Sequence, residues 1–139
     1  MRYPRSFLAA VIVALAACDP PPTGPGTYMA ARTLSLEYSS GQMVVFDVEN
    51  QGDDVVGLPH CDHRIAMALD RRAGGQWIEA YRRSSFCIAV LPSGVVSLHP
   101  GEVHRDSVPV MQPGTYRIRL PVEDDLSSLD TNVFTVSAR

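Results

Sequence analysis

The chain has no lysine, and all 12 of its basic residues are arginines. A lysine Schiff base and a lysine general base are therefore excluded. Acidic residues number 15, which argues against nucleic-acid binding because a surface that binds nucleic acid is usually basic. Catalytic signatures are also missing: there is no Gly-x-Ser-x-Gly, no His-Glu-x-x-His and no phosphate loop, and no serine is evidently paired with a histidine. We therefore expect a protein that is not an enzyme.

The sequence also lacks an apolar run long enough to cross a bilayer as a helix, which takes about 20 residues. Its longest apolar run, from Phe7 to Ala17, has 11 residues. That is the length of the apolar part of an export signal. Arg2 and Arg5 precede the run, and small residues end it directly before Cys18. This order predicts a signal peptide over residues 1–17.

The residues Leu15-Ala16-Ala17-Cys18 resemble the lipobox of bacterial lipoproteins. In that family the cysteine receives lipid, palmitate included, and becomes the first residue of the mature chain. The resemblance implies lipidation of Cys18 and a membrane anchor that keeps the protein in the cell envelope, on the periplasmic or the cell-surface side. Stable anchoring takes at least two acyl chains, because one chain binds membranes only weakly. An ordinary secretory signal followed by a chance cysteine is the alternative.

Two further segments follow the predicted signal peptide. Residues 18–31 include the proline- and glycine-rich run Asp19 to Thr27, which predicts an extended tether behind the lipidated cysteine. Residues 32–139 have the length of one domain that buries its own core. Because Arg2 and Arg5 leave with the signal, residues 18–139 carry ten basic residues against 15 acidic ones.

The predicted domain shows a period-two alternation of apolar and polar residues, with no long helical pattern. Turn signals such as Gly74-Gly75, Pro100-Gly101 and Pro113-Gly114 separate the alternating segments. This pattern predicts an all-β fold, an immunoglobulin-like antiparallel β-sandwich of about 7–9 strands. The alternating segments are Thr33–Tyr38, Met43–Asn50, Arg64–Arg71, Gln76–Arg83, Val95–His99, Val103–Val110, Tyr116–Leu120 and Asn132–Ala138.

Several of these segments resemble known families. The strand Val45–Asn50 and Trp77 resemble immunoglobulin-like domains of bacterial lipoproteins, and Trp77 is expected in the core. The runs Leu98–Glu102 and Gly114–Ile118 resemble the bacterial intracellular proteinase inhibitors, which share the sandwich fold. Tyr116 is expected to form a tyrosine corner, in which the hydroxyl returns to nearby backbone. The second resemblance implies an alternative function, protease inhibition through an exposed loop at residues 82–85 or 124–131.

Cys61 and Cys87 are the two cysteines that remain after lipidation. An exported compartment is oxidising, so we expect them to form a disulfide. The alternative is a zinc or copper site at His60, Cys61 and His63, because two imidazoles and a thiolate are suitable ligands for either metal. We otherwise expect no cofactor besides the lipid.

Four arginines are candidates for binding a partner: Arg82, Arg83, Arg117 and Arg119. Arg117 and Arg119 share one strand face and are suited to carboxylates or an anionic polymer. The alternative is that all four are solvated on the outer faces of the sheets. Taken together, the sequence predicts a membrane-anchored, non-catalytic module that binds another envelope protein or supports an envelope assembly, with no nucleic-acid partner.

Overall fold

The computed structural model describes residues 29–85, 87, 93–121 and 128–139. The predicted signal peptide, the predicted lipidation site Cys18 and most of the predicted tether therefore lie outside the described residues. The described part of the chain has no helix with the length and hydropathy needed to cross a membrane.

Twelve β-strands are present in the described residues, and they confirm the all-β prediction. In chain order they are β1 (Met29–Thr33), β2 (Glu37–Ser39), β3 (Met43–Asn50), β4 (Val56–Cys61), β5 (Arg64–Ile65), β6 (Met67–Ala73), β7 (Gln76–Arg83), β8 (Ser93–Leu98), β9 (Val103–Pro109), β10 (Gly114–Pro121), β11 (Ser128–Asp130) and β12 (Phe134–Ser137).

The strand order is that of an immunoglobulin-like sandwich. One sheet has the order β1-β3-β9, and a second has β2-β12-β10-β6-β7, with β11 paired to β10. These orders match strands A, B and E of the immunoglobulin fold in one sheet and G, F and C in the other. A third, small sheet of order β5-β4-β8 accounts for part of the excess over the predicted 7–9 strands. All pairs are antiparallel except β12 with β2, which is parallel.

The prediction of one continuous strand over Thr33–Tyr38 was wrong. The chain leaves β1 at Thr33, whose N–H donates to the Asn132 side chain at 2.8 Å, and re-forms a strand only at Glu37. Leu34 and Leu36, which are the apolar positions of that alternation, are 49% and 63% exposed. A long-range side-chain contact therefore interrupts an alternation that local sequence suggests. At its other end β1 begins at Met29, within the segment predicted as tether.

The core lies between the two larger sheets and is built from the alternating apolar positions. Its largest fully buried side chains are Tyr116, Phe46, Phe134, Leu58, Ile65, Met67, Ile118 and Leu120. Tyr116 forms the predicted tyrosine corner: its hydroxyl donates to the Gln112 carbonyl at 2.8 Å while its ring stacks on Phe134. The aromatic body is thus buried with its one polar atom satisfied.

Asn50 fixes the place where β3 turns into β4. Its side chain is fully buried, and its amide donates to the carbonyls of Asp54 at 2.7 Å and Leu98 at 2.9 Å. Its side-chain oxygen accepts from the Gly52 N–H at 3.0 Å. Since β3 pairs with β9 and β4 pairs with β8, these bonds join the β1-β3-β9 sheet to the small sheet.

Candidate functional site

The outer face of the β7-β6-β10 region carries a network of arginines around one buried carboxylate, Asp70. The Asp70 residue is only 2% exposed although it points away from the core. Arg117 reaches it from the neighbouring strand at 3.2 Å, and Arg119 reaches its other oxygen at 3.1 Å. A carboxylate removed from water is costly unless it is paired, so these two guanidinium groups make the position tolerable.

The Asp70 network extends sideways across four strands. Arg117 also contacts Asp130 on β11 at 2.6 Å, and Arg119 contacts Glu79 on β7 at 3.3 Å. Arg82 donates to both oxygens of Glu79, and its bond to Glu79 is the main reason that the pKa of this carboxyl is lowered. We call Asp70, Glu79, Arg82, Arg117, Arg119 and Asp130 the outer network.

Trp77 lies at the edge of the outer network and not in the core, so the prediction of a core tryptophan was wrong. It faces Arg72 across the β6–β7 pair, on the same side of the sheet as Asp70. The guanidinium carbon of Arg117 lies 4.7 Å from the ring centroid, and that of Arg72 lies 5.9 Å away. Both distances are within the range of cation–π attraction.

The four arginines predicted to bind a partner do not form one patch. Arg82, Arg117 and Arg119 belong to the outer network, where each has an acidic neighbour. Arg83 points to the opposite face of β7, because successive side chains of a strand alternate between its faces. The alternative, that all four are solvated on the outer faces of the sheets, therefore places Arg82, Arg117 and Arg119 correctly and is wrong for Arg83. The role of the four in binding a partner stays a prediction.

Arg83 instead joins an inner cluster around Asp106, at the side of the sandwich where all three sheets meet. Asp106 on β9 accepts from Arg83 at 2.9 Å, from the Ile65 N–H at 3.0 Å and from the Ser107 N–H at 2.6 Å. Arg64 adds a contact at 3.3 Å. One carboxylate thus connects β9, β5 and β7, which belong to three different sheets. We call Asp106, Arg83, Arg64 and Ile65 the inner cluster.

His104 lies on the same face of β9 as Asp106, two residues before it. Its Nε2 atom is buried and has no hydrogen-bond partner among the described residues. Burial lowers the pKa of His104, and the nearby charges of His60 and Arg83 lower it further, against the opposing effect of Asp106. Burial of the imidazole therefore favours its neutral form.

The disulfide predicted between Cys61 and Cys87 is confirmed, with an Sγ–Sγ distance of 2.05 Å. Cys61 ends β4, just before a two-residue turn at Asp62 and His63, both of which have positive φ. Positive φ at both central residues is what a type I′ hairpin turn requires.

The alternative metal site at His60, Cys61 and His63 loses its thiolate to this disulfide. The Nδ1 atom of His60 is also engaged, since it accepts from the His63 N–H at 3.2 Å. The two imidazoles stack with centroids 5.6 Å apart. In the described part of the chain, no group of three or more histidine, cysteine, aspartate or glutamate side chains is arranged to hold a metal ion.

The loops suggested for protease inhibition are partly strands. Arg82 and Arg83 lie within β7, and Ser128–Asp130 form β11. Ser84 and Ser85 follow β7, and the rest of the second candidate loop, residues 124–127, lies outside the described residues. No contact among the described residues favours an inhibitory loop at either position.

The residues that organise both clusters, Asp70 and Asp106, were missed by sequence reasoning. Each stands in an alternating strand, but only Asp106 occupies a position that the alternation assigns to the inner face, in register with Phe46. A charged residue at an inward position was therefore the available signal for the inner cluster. The packing that buries Asp70 depends on Arg117 and Arg119, which are 47 and 49 residues away in the chain.

No protein-family model matches this chain, and no curated protein matches it. Among solved structures it is similar to the sporulation control protein Spo0M of Bacillus subtilis, with 12% identity, 80% of this chain and 49% of that chain covered, and a TM-score of 0.40. It is also similar to the CARDB domain of the PF1109 protein from Pyrococcus furiosus, with 17% identity, coverage of 80% and 87%, and a TM-score of 0.35.

A PapD-like domain of human CEP192 is similar to nearly the whole chain, with 16% identity, coverage of 98% and 96%, and a TM-score of 0.35. The chain spans 49% of Spo0M and 15% of a similar β-glucosidase from Erythrobacter marinus. At these identities and TM-scores the activities of those proteins are not carried over, and the fold assignment stands on the strand order above.

Proposed function

We propose that this protein is an exported lipoprotein whose immunoglobulin-like domain is a non-catalytic binding or structural module of the cell envelope. In this proposal Cys18 carries the lipid, the following residues act as a tether, and the domain contacts another envelope protein. The membrane, by way of the lipid, and that envelope protein are the two partners.

The observation that carries the proposal is the pairing of Cys61 with Cys87. Disulfides persist in exported proteins and are rare in the reducing cytosol. The pairing also leaves Cys18, at the end of the apolar run, as the one cysteine of three available for lipid. The cysteine chemistry and the lipobox resemblance therefore support the same location.

The outer network with Trp77 is the surface that we assign to the envelope partner. Tryptophan and arginine are enriched among residues that dominate binding energies, and this face combines one tryptophan with four arginines. The arginines are held in place by Asp70 and Glu79, so less side-chain freedom is lost when a partner binds.

Metabolic labelling with a palmitate analogue tests the anchor. We expect label on the full chain in the membrane fraction and a complete loss of label in the Cys18→Ser variant. The matched control is the double variant Cys61→Ser, Cys87→Ser, which lacks the other two cysteines and is expected to keep the label wherever it accumulates. Equal labelling of the Cys18→Ser variant would sink the anchoring proposal.

Site-specific photo-crosslinking in intact cells tests the binding surface. A photoreactive amino acid at Arg72, beside Trp77, is expected to give a discrete adduct with another envelope protein. The control position is Thr135, which is exposed on β12 of the same sheet. Identical adduct patterns from the two positions, or adducts from Thr135 alone, would contradict the assignment of this surface.

A further inference from the structure

Strand β7 is the longest strand that ends a sheet in the described residues. It has eight residues, closes the order β2-β12-β10-β6-β7, and among the described strands pairs on one side only, with β6. The strand at the other end, β2, has three residues. Short edge strands are one of the means by which proteins prevent unwanted strand pairing, and β7 lacks that protection. Its free backbone groups are a template for another strand.

Both faces of β7 expose large side chains next to this free edge. Ile78 and Tyr81 lie opposite Arg71 and Leu69 of β6, which places them on the inner face of the sheet. Even so, they are 55% and 47% exposed. The outer face of the same strand carries Trp77, Glu79 and Arg82. The inner face of β7 therefore exposes the apolar side chains of Ile78 and Tyr81, and the outer face carries one aromatic and two charged side chains.

We propose that the free edge of β7 pairs with β7 of a second copy of this chain, antiparallel, with Ile78 opposite Tyr81 of that copy. The pairing forms a symmetric dimer. In it, the two β7 strands join the β2-β12-β10-β6-β7 sheets of the two copies into one continuous sheet. The inference goes beyond the proposed function and does not depend on lipid anchoring, although two copies held on one membrane meet at a higher effective concentration.

The alternation of side chains along β7 selects this register. A bulge between β6 and β7 leaves Ala80 without a partner on β6, so Glu79 and Arg82 both point outward while Ile78 and Tyr81 both point inward. Antiparallel pairing requires that opposite residues share a face. With Ile78 opposite Tyr81, this condition also holds for Trp77 opposite Arg82, on the outer face.

Neighbouring registers are less favourable. Moving the second strand by one residue in one direction places Ile78 opposite Arg82, which points outward. Moving it by one residue in the other direction places Ile78 opposite the bulged Ala80 and sets the two Glu79 side chains directly opposite each other. A shift by two residues places Ile78 opposite the outward Glu79 in one direction and, in the other, opposite Arg83, which is already engaged by Asp106 in the inner cluster. The proposed register is therefore the one that covers both exposed apolar side chains of the inner face.

The charges near the symmetry axis are complementary in this register. Glu79 of one copy lies opposite Ala80 of the other, so the two Glu79 carboxylates do not face each other directly. Arg82 of the second copy lies diagonally across from Glu79, within reach of a long side chain. Two glutamates and two arginines then form one balanced group.

Photo-crosslinking of the purified full-length protein in detergent tests this pairing. With p-benzoylphenylalanine in place of Tyr81, we expect an adduct of twice the chain mass, with the crosslink mapped to the Ile78 region of the second copy. The control carries the same photoprobe at Val95, which is 42% exposed on β8 and is expected to give no such adduct. Adducts from both positions in equal yield, or from neither, would overturn the proposal.

Two variants of exposed residues complete the test. Ile78→Lys places a charge in the proposed pair, and we expect the doubled-mass adduct to fall about tenfold, the effect of roughly 1.4 kcal/mol. In sedimentation experiments on the otherwise unmodified chain, Ile78→Lys and Tyr81→Lys are each expected to shift the dimer to monomer, with an unchanged circular dichroism spectrum. A dimer unaffected by both variants would rule out this edge, and a monomeric wild-type chain at every concentration would rule out the dimer. Either result would leave lipidation of Cys18 untouched.

Discussion

The inner cluster and the outer network both stabilise an aspartate that is largely removed from water, but the groups that contact the aspartate differ. In each, one nearly buried aspartate is held by arginines from other strands. Asp106 also accepts two backbone N–H groups, and its partner Arg83 has a side chain only 12% exposed. Asp70 has arginine partners whose side chains are 24% and 34% exposed.

This difference separates a structural role from a binding role. The bonds of Asp106 connect three sheets, so breaking them disturbs the architecture. The arginines around Asp70 lie on one sheet, keep contact with water and have second acidic partners in Asp130 and Glu79. Their contacts do not join different sheets, so these arginines can contact a partner while Asp70 and Glu79 hold them in position.

Removing the carboxylate of the inner cluster is expected to have the largest effect on stability, and it tests whether that cluster is structural. The Asp106→Ala variant leaves Arg83 nearly buried without its charge partner and deprives the Ile65 and Ser107 N–H groups of their acceptor. We expect a loss of about 3–5 kcal/mol in the free energy of unfolding. Urea unfolding followed by circular dichroism measures this value, with the exposed turn variant Asp53→Asn as control. A loss below about 1 kcal/mol would show that the cluster is not structural.

Removing the disulfide beside the inner cluster is expected to have the next largest effect. The bond closes a separation of 26 residues, and the double variant Cys61→Ser, Cys87→Ser is expected to lose about 3–4 kcal/mol in the chain-entropy description. Unfolding of the wild-type chain with and without reductant gives a second measurement. Equal stability of the oxidised and reduced chains would contradict the expectation.

Removing the charge of Asp70 should cost less than either change. The Asp70→Asn variant keeps a side-chain oxygen, and Arg117 and Arg119 retain Asp130, Glu79 and water as partners. We expect a loss of about 1–3 kcal/mol in unfolding free energy, together with weaker crosslinking from the outer face. The comparison between the two regions is wrong if this loss equals or exceeds that of Asp106→Ala in the same urea experiment.

The pH dependence of stability offers a smaller effect confined to the inner side. Because the folded pKa of His104 lies below its ordinary value of 6.5, the unfolded chain binds more protons between these two values. The contribution of His104 to the free energy of unfolding is therefore fully present above pH 6.5. It is lost as the pH drops through the folded pKa of His104. The His104→Gln variant should show a shallower loss over this window. An identical pH profile for wild type and variant would exclude His104 as the cause.

The alternation of apolar and polar residues predicted those strands whose ends are set by nearby residues in the sequence. Met43–Asn50 and Gln76–Arg83 were predicted with the bounds that the structure has, and Tyr116 and the Cys61–Cys87 pair behave as predicted. The break after Thr33 was not predictable, since Asn132 imposes it from 99 residues away.

The site was less predictable than the fold for a related reason. Strand alternation alone separates Arg82 from Arg83, but it does not tell which carboxylate each will meet. Those partners follow from the sheet order, which brings β6 beside β10 and the end of β7 beside β9. The position of Trp77 was unpredictable for the same reason. A strand pattern places its side chain on one face of the strand but does not tell which face packs against the core.

Hydrogen exchange of the full-length protein as a function of its concentration tests the central claim most directly, namely that the inner side holds the domain together while β7 joins it to another copy. We predict that backbone amides of Gln76–Arg83 become more protected as the concentration rises, while those of Val103–Pro109 stay unchanged. Protection of β7 that is independent of concentration, or new protection at another sheet edge, would contradict the account.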